Sequence, residues 1–251
     1  MAQRAWKTAW VTGASSGIGR ELALMLAREG CRVAISARSA EKLAEVAALD
    51  DRITAFPVDV TNRAAMAETA AAIKAQFGPI DLVVLNAGLW HPQLAKQYDA
   101  AKAINSMAVN YAGVAHALEP LIADMVARRQ GHIAMVASVA GYRGLPQASA
   151  YAPSKSAVIT LAEVLRLELA EHAIHVQVIN PGFVETPMTA VNQFDMPYIM
   201  SAEAAAGHIL AGLKTQRFEI AFPWQLVATL KLLRLLPYSL YFRVAKRFLP
   251  K

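Results

Sequence analysis

Tyr151 and Lys155 stand four residues apart in Tyr151-Ala152-Pro153-Ser154-Lys155. On a helix that spacing puts a phenol and an ammonium on one face, about one turn apart. A free tyrosine, with a pKa near ~10, is too high to act as a base at neutral pH. A nearby cation favours the phenolate, and a lowered pKa would make Tyr151 a usable proton donor or acceptor. Ser138, at the end of a strand-like run, offers a hydroxyl that could hold a substrate oxygen against the phenol. Taken alone, a Tyr-x-x-x-Lys pair is more often an exposed helix pair, so the reading depends on the elements that position it.

Those elements alternate. Short β-branched apolar runs predict strands over Trp6–Thr12, Arg32–Ala37, Ile53–Val58, Asp81–Asn86, His132–Ser138, His175–Asn180 and Phe218–Phe222. Segments of helical period lie between them, over Gly19–Glu29, Ala40–Ala48, Arg63–Phe77, Tyr98–Arg129, Tyr151–His172 and Ala202–Leu213. Continuous apolar strands separated by helices imply a parallel sheet covered on both faces. Right-handed crossovers make it doubly wound, with ligands outside the carboxyl ends of the strands. The expectation is an α/β fold of about seven strands, one domain over residues 1–221, followed by an amphipathic basic extension over 222–251.

Several motifs fall at the strand ends. Thr12-Gly13-Ala14-Ser15-Ser16-Gly17-Ile18-Gly19 follows the first strand and opens a helix. Glycines so spaced allow a tight turn and close backbone approach to a pyrophosphate, with helix N–H groups facing the phosphates. A strand-to-helix turn alone is the plainer alternative. After strand two comes Ser36-Ala37-Arg38-Ser39, without the carboxylate that an NAD site usually offers to the ribose 2′-hydroxyl. Arg38 suits a 2′-phosphate, so NADP(H) is expected in preference to NAD(H). A solvated surface arginine remains the competing account of Arg38. Asp59-Val60 closes strand three, where the carboxylate either accepts from an adenine amino group or caps a helix. Asn86-Ala87-Gly88 ends strand four with small residues that let backbone lie against a ligand, or that simply turn.

Together these residues resemble the short-chain dehydrogenase/reductase family in its shorter cytosolic form, from strand one to about Thr186. The Thr12–Gly19 turn is similar to that family's cofactor loop, and Asn86-Ala87-Gly88 to its strand-four motif. Ser138 precedes Tyr151 by the family's thirteen residues, and Tyr151–Lys155 matches its active-site motif. Asn110 stands where the family has a helix asparagine that bonds a relay water. Pro181-Gly182-Phe183-Val184-Glu185-Thr186 resembles the nicotinamide-side loop. Pro153 inside the motif and Ala137 before Ser138 are small departures that remove no reacting group. The resemblance implies a Rossmann fold and an oxidoreductase moving hydride between NADP(H) and a small-molecule carbonyl or alcohol. Asn110, Ser138, Tyr151 and Lys155 would be catalytic. The dinucleotide would be held by Gly13, Ser15, Ser16, Gly17, Ile18, Gly19, Arg38, Asp59, Val60, Asn86, Ala87, Gly88, Pro181, Gly182, Val184 and Thr186, with Tyr151 and Lys155. A homo-oligomer, dimer or tetramer, goes with it. A non-catalytic NADP(H)-binding sensor or scaffold is the rival, and the intact proton relay argues against that; a membrane-associated lipid or steroid reductase with the same chemistry is the second alternative.

Composition sets the remaining bounds. The chain has 251 residues, 55% of them hydrophobic, enough for one large core. The single cysteine, Cys31, sits in an apolar run and reads as a small buried residue in a reducing compartment. No metal spacing and no signal-peptide stretch is seen, so a cytoplasmic location is expected. Of the 25 basic residues six follow Glu219, where there is no acidic one; the remainder balance the 19 acidic residues. Loops holding Trp90, Tyr142, Leu145, Met188, Phe194 and Met196 suggest a largely apolar substrate, although core packing explains each as well. His91 reads as a solvated loop histidine. The tail predicts helices over Gln225–Leu236 and Ser239–Leu249, broken at Pro237. An oligomer contact, a lid over the pocket and peripheral membrane contact through 225–251 all fit it. Nucleic acid is not expected as a partner.

Overall fold

The computed structural model describes residues 6–192 and 194–248. Leu249, the expected end of the last tail helix, lies outside that range, as does the end of the 225–251 segment. Seven parallel strands form one sheet in the order β3-β2-β1-β4-β5-β6-β9. They are β1 (Thr8–Thr12), β2 (Arg32–Ser36), β3 (Ile53–Ala55), β4 (Leu82–Leu85), β5 (Gly131–Val136), β6 (Ile174–Pro181) and β9 (Glu219–Phe222). A small parallel pair, β7 (Val184–Glu185) with β8 (Met200–Ser201), stands apart. The order reverses between β1 and β4, which opens a crevice at their carboxyl ends. Every residue of β1 and of β6 is buried, as a sheet covered on both faces requires.

Two apolar layers flank the sheet. On one side α1 (Gly17–Arg28), α2 (Ala40–Ala47) and α7 (Ala202–Leu213) bury Leu22, Leu26, Leu43 and Ile209. On the other α3 (Arg63–Phe77), α5 (Gly113–Arg128) and α6 (Tyr151–Glu168) bury Met66, Ile73, Leu121, Met125 and Val158. Truncating one such side chain to alanine costs about 2–5 kcal/mol. The helix starts follow cap chemistry. Ser39 accepts from the Lys42 amide, Asn62 from Ala65 and Ser201 from Ala204. Asn62, rather than Asp59 or Thr61, therefore caps α3.

The expected single helix over Tyr98–Arg129 is divided. Asp99 caps α4 (Ala100–Met107), a π-helical segment spans Ala108–Ala112, and α5 follows. Such a bulge shifts side chains around the helix and recurs at functional sites. Here it carries Asn110. After β9 come α8 (Trp224–Leu235) and α9 (Tyr238–Ala245), each preceded by a proline that cannot extend a helix backwards. Phe222, placed above at the start of the extension, is the last residue of β9. Cys31 is buried and its thiol donates to the Trp6 carbonyl at 3.0 Å, while burial pushes its pKa up to about 11. It is an unreactive packing residue.

Candidate active site

One cleft of about 420 Å³ runs along the carboxyl ends of the strands. Its glycine turn leaves no room for side chains. Gly13 has φ +67°, and a β-carbon there would stand 2.7 Å from the Ala87 Cα. At Gly19 it would meet Asn86 Nδ2 and the Gly13 carbonyl, each at 2.5 Å. The Asn86 amide donates to the Thr12 carbonyl at 3.0 Å and the Gly13 carbonyl at 3.1 Å. The Thr12 hydroxyl accepts from the Asn86 and Ala87 amides in return. Asn86 thus works as a clamp between the ends of β1 and β4, and its backbone rather than its amide is what a ligand could lie against. Ser16 precedes α1 without a side-chain cap, and no acidic residue occupies the first turn. Uncapped helix amides at a bare glycine turn suit an anion.

At one end of the cleft, beyond β2, lie Arg38, Ser39 and Lys42. Asp59 sits across from them at the end of the strand-three segment. Its Oδ1 accepts from the Thr61 amide at 2.9 Å and hydroxyl at 2.8 Å. The Thr61 amide is the main cause of its lowered pKa, and Arg38 adds to it. Two cations and one carboxylate thus frame this end. Lys42 escaped the sequence reading because it lies on α2, outside the strand-end motif.

At the other end Ser138, Tyr151 and Lys155 line the same cleft. Lys155 is buried, 3% exposed, and its ammonium donates to the Val136 carbonyl at 2.8 Å. Its nitrogen lies 5.6 Å from the centre of the Tyr151 ring. Burial lowers Lys155 to about 8. Burial also pushes the Tyr151 phenol up to about 12, with the Ser138 hydroxyl pulling the other way. Without a bound cofactor, desolvation outweighs the Ser138 hydrogen bond at Tyr151, and the phenol is protonated at neutral pH. Ser138 Oγ accepts from the Ala140 amide at 3.1 Å and faces the Pro181 carbonyl at 3.4 Å, which fixes its direction.

Pro181, Gly182, Val184 and Thr186 close the far wall, joined by Pro187, Met188 and Thr189. The Thr189 hydroxyl donates to the Val184 carbonyl at 2.6 Å and orders this loop. Thr186 reaches over the glycine turn, its methyl 2.9 Å from where a Gly17 β-carbon would be. Two expected residues do not line the cleft. Gly19 lies in the turn's floor. Asn110 is fully buried behind the wall, where Oδ1 accepts from the Leu89 amide at 2.8 Å. Its Nδ2 donates to the Leu89 carbonyl at 3.1 Å and to Ser154 Oγ at 2.9 Å. Ser154 in turn donates to the Tyr151 carbonyl at 2.7 Å. Asn110 and Ser154 therefore position the strand-four loop and the start of α6.

The apolar loop residues divide. Met188 lines the cleft, and Trp90 packs edge-on against Tyr151 with ring centres 5.0 Å apart. Tyr142 turns inward, buried, and its hydroxyl bonds Glu219. Phe194 packs on Phe183, and Met196 accepts from Asn192.

These residues fit a dinucleotide: a bare glycine turn under an uncapped helix, two cations beyond β2, and a half-buried phenol beside a buried ammonium. The known proteins agree on the class. The family model for short chain dehydrogenases matches residues 7–196. An uncharacterized oxidoreductase of Myxococcus xanthus is 39% identical over 98% of this chain and 99% of its own length. An uncharacterized oxidoreductase of Staphylococcus aureus is 33% identical over 73% of this chain and 80% of its own. Among solved structures, a short-chain dehydrogenase from Streptomyces avermitilis superposes with TM-score 0.83 at 26% identity, covering 90% of this chain and 91% of that one. A variant actinorhodin polyketide ketoreductase with NADPH gives 0.80 at 26% identity over 90% and 99%. The matched segment contains the glycine turn, Asn86-Ala87-Gly88, Ser138 and the Tyr151–Lys155 helix, and on that ground the chain belongs to the short-chain dehydrogenase/reductase family.

Proposed function

We propose that this oxidoreductase reduces a carbonyl to an alcohol with NADPH, and that Tyr151 donates the proton. The observation that carries the reading is the convergence of Ser138, Tyr151 and Lys155 at one end of a cleft whose other end holds Arg38 and Lys42. The bound dinucleotide supplies the hydride. The residues do the rest. Gly13, Ser15, Ser16, Gly17 and Ile18 take the pyrophosphate on backbone amides. Arg38 and Lys42 pair with the 2′-phosphate, where a carboxylate would repel it. Asp59 and Val60 flank the adenine, Ala87 and Gly88 the ribose side, and Pro181, Gly182, Val184 and Thr186 the nicotinamide side.

Ser138 directs its hydroxyl at the substrate oxygen. Tyr151, held protonated by burial, is the acid on that same oxygen as negative charge develops. Lys155 holds a ribose hydroxyl and places a positive charge beside the phenolate that remains. Asn110 keeps the Leu89 loop and Ser154 in register with Tyr151. The same phenol serves the reverse step, taking the alcohol proton as hydride returns to the oxidised cofactor. The substrate end, beside Met188 and Trp90, suits an apolar body.

The wider setting belongs to the same reading. It is a homo-oligomeric enzyme of a reducing, cytoplasmic compartment, with the residues after Phe222 as an addition to the catalytic unit. Steady-state oxidation of NADPH and of NADH against a panel of aldehydes and ketones tests it. Turnover with a preference for NADPH is expected. Tight NADPH binding with no turnover on any carbonyl would make the protein a sensor and refute the catalytic reading.

A further inference from the structure

Helix α8 carries apolar residues on both its packed and its exposed face, interrupted by Gln225, Thr229, Lys231 and Arg234. Its inner face, Leu226, Val227 and Leu230, packs against the core. Its outer face carries Trp224, Ala228, Leu232 and Leu235 in one helical stripe, with the exposed Lys231 among them. Trp224 is 74% exposed, Leu232 64% and Leu235 80%. The exposed aromatics continue into α9, where Tyr238 and Phe242 stack at 5.7 Å. Scattered exposed leucines are ordinary, but a contiguous aromatic and aliphatic face marks an interaction surface.

The charge around this face identifies its partner. No acidic residue follows Glu219, and Lys231, Arg234, Arg243, Lys246 and Arg247 are all exposed. Lys231 is paired with Glu219. Among the described residues, Arg243, Lys246 and Arg247 are in no ion pair. A second copy seated by two-fold symmetry would press this basic face against itself. The rest of the chain, formally neutral, brings no net charge to offset that. An anionic bilayer satisfies both parts. Its headgroups meet the cations, and its interface takes Trp224, Leu232, Leu235, Tyr238 and Phe242. Among the described residues no helix is long and apolar enough to cross a membrane, so the helices lie in the interface plane.

We propose that α8 and α9 seat the protein on an anionic phospholipid surface. The seat adjoins the cleft. Leu226 of α8 lies so near Gly182, a cleft residue, that a β-carbon at Gly182 would stand 2.8 Å from it. Arg143 fixes the tail from the other side. Its guanidinium donates to the carbonyls of Leu233, Arg234 and Leu236, and lies over the Tyr238 and Tyr241 rings at 5.0 and 3.9 Å. Helix α8 therefore borders the cleft wall that holds Gly182. Combined with the carbonyl reductase reading above, on which this clause rests, the substrate class is a carbonyl on an apolar body that partitions into the bilayer.

The test uses the full chain and sucrose-loaded vesicles of phosphatidylcholine with phosphatidylglycerol, against pure phosphatidylcholine. Co-sedimentation with the mixed vesicles is expected, weakened about tenfold or more by pure phosphatidylcholine or raised salt. The L232Q/L235Q/F242Q variant should stay in the supernatant while keeping its melting temperature and its NADPH binding. The R243Q/K246Q variant should bind about tenfold or more weaker. Mixed vesicles should also shield Trp224 from iodide quenching, an effect absent in Trp224→Phe. Wild-type protein left in the supernatant at low salt would overturn the proposal, as would a triple variant that pellets like wild type. A lipid-free dimer that the triple variant converts to monomer would assign the face to a second copy and overturn it too. Sedimentation does not need turnover: protein that pellets yet reduces no carbonyl keeps the membrane seat and refutes only the catalytic reading.

Discussion

Replacing Lys155 by methionine should make the protein more stable while disabling it. Lys155 is buried, and burial alone brings its pKa from 10.5 to about 8. Keeping the ammonium charged there at neutral pH costs about 3 kcal/mol. Its hydrogen bond to the Val136 carbonyl returns part of that, about 1.5–2 kcal/mol for a charged donor. Methionine matches the stem and removes both, for a net gain of about 1 kcal/mol, or about 2–4 °C in Tm for a chain of this size. The sign depends on pH. The folded-state value lies below the unfolded one, so the penalty is complete below about 8 and fades as pH rises towards 10.5. Over that window the unfolded chain binds more protons, and wild-type stability rises relative to the variant. Differential scanning calorimetry of both proteins from about pH 7 to about pH 10 reads this directly. A variant that melts lower at neutral pH, or a difference that does not shrink with rising pH, would refute the claim that the cleft holds a desolvated ammonium.

The other expectations concern activity and the walls of the cleft. Tyr151→Phe should lower kcat for carbonyl reduction by about 10²–10⁴-fold with NADPH affinity nearly unchanged, read by turnover and by NADPH fluorescence titration. In the wild type, kcat/KM for reduction should fall as pH rises through about 8, where free Lys155 loses its proton; a flat profile across that range would detach Lys155 from the chemistry. Arg38→Asp should shift preference towards NADH, and Lys42→Ala should weaken NADPH alone; an unchanged NADPH/NADH ratio would return both to the solvated surface. Asn110→Leu strands the Leu89 amide and carbonyl and should cost about 2–4 kcal/mol, lowering Tm by about 4–16 °C, with unchanged melting as the contrary result.

Much of this was legible in the residues. Apolar runs such as Val33-Ala34-Ile35, alternating with segments of helical period, read as doubly covered strands, and the glycine turn marked the crevice. Element ends shifted by a residue or two, as hydrogen-bonded ends do. The break in the predicted Tyr98–Arg129 helix was not legible, because a π segment follows from Asn110 bonding the distant Leu89 rather than from local propensity. Lys42 lay outside every motif, and the roles of Thr12 and Ser154 within theirs were hidden for a similar reason: each bonds a residue distant in sequence. Tyr142 looked like a pocket residue, but Glu219, distant in sequence, draws it inward. The direction of the Tyr151 pKa needed burial, which spacing along a helix does not reveal. The tail's cations and apolar stripe were visible, whereas which stripe packs inward, Leu226, Val227 and Leu230, required the fold.

A crystal structure with NADPH and a bound, slowly reduced ketone tests the central claim most directly. The account predicts the ketone oxygen within hydrogen-bonding distance of both the Tyr151 phenol and the Ser138 hydroxyl, its carbonyl carbon facing the nicotinamide ring, and Arg38 with Lys42 on the 2′-phosphate. A ketone seated with its oxygen away from Tyr151, or a dinucleotide lying outside the Ser138–Lys155 end of the cleft, would contradict it.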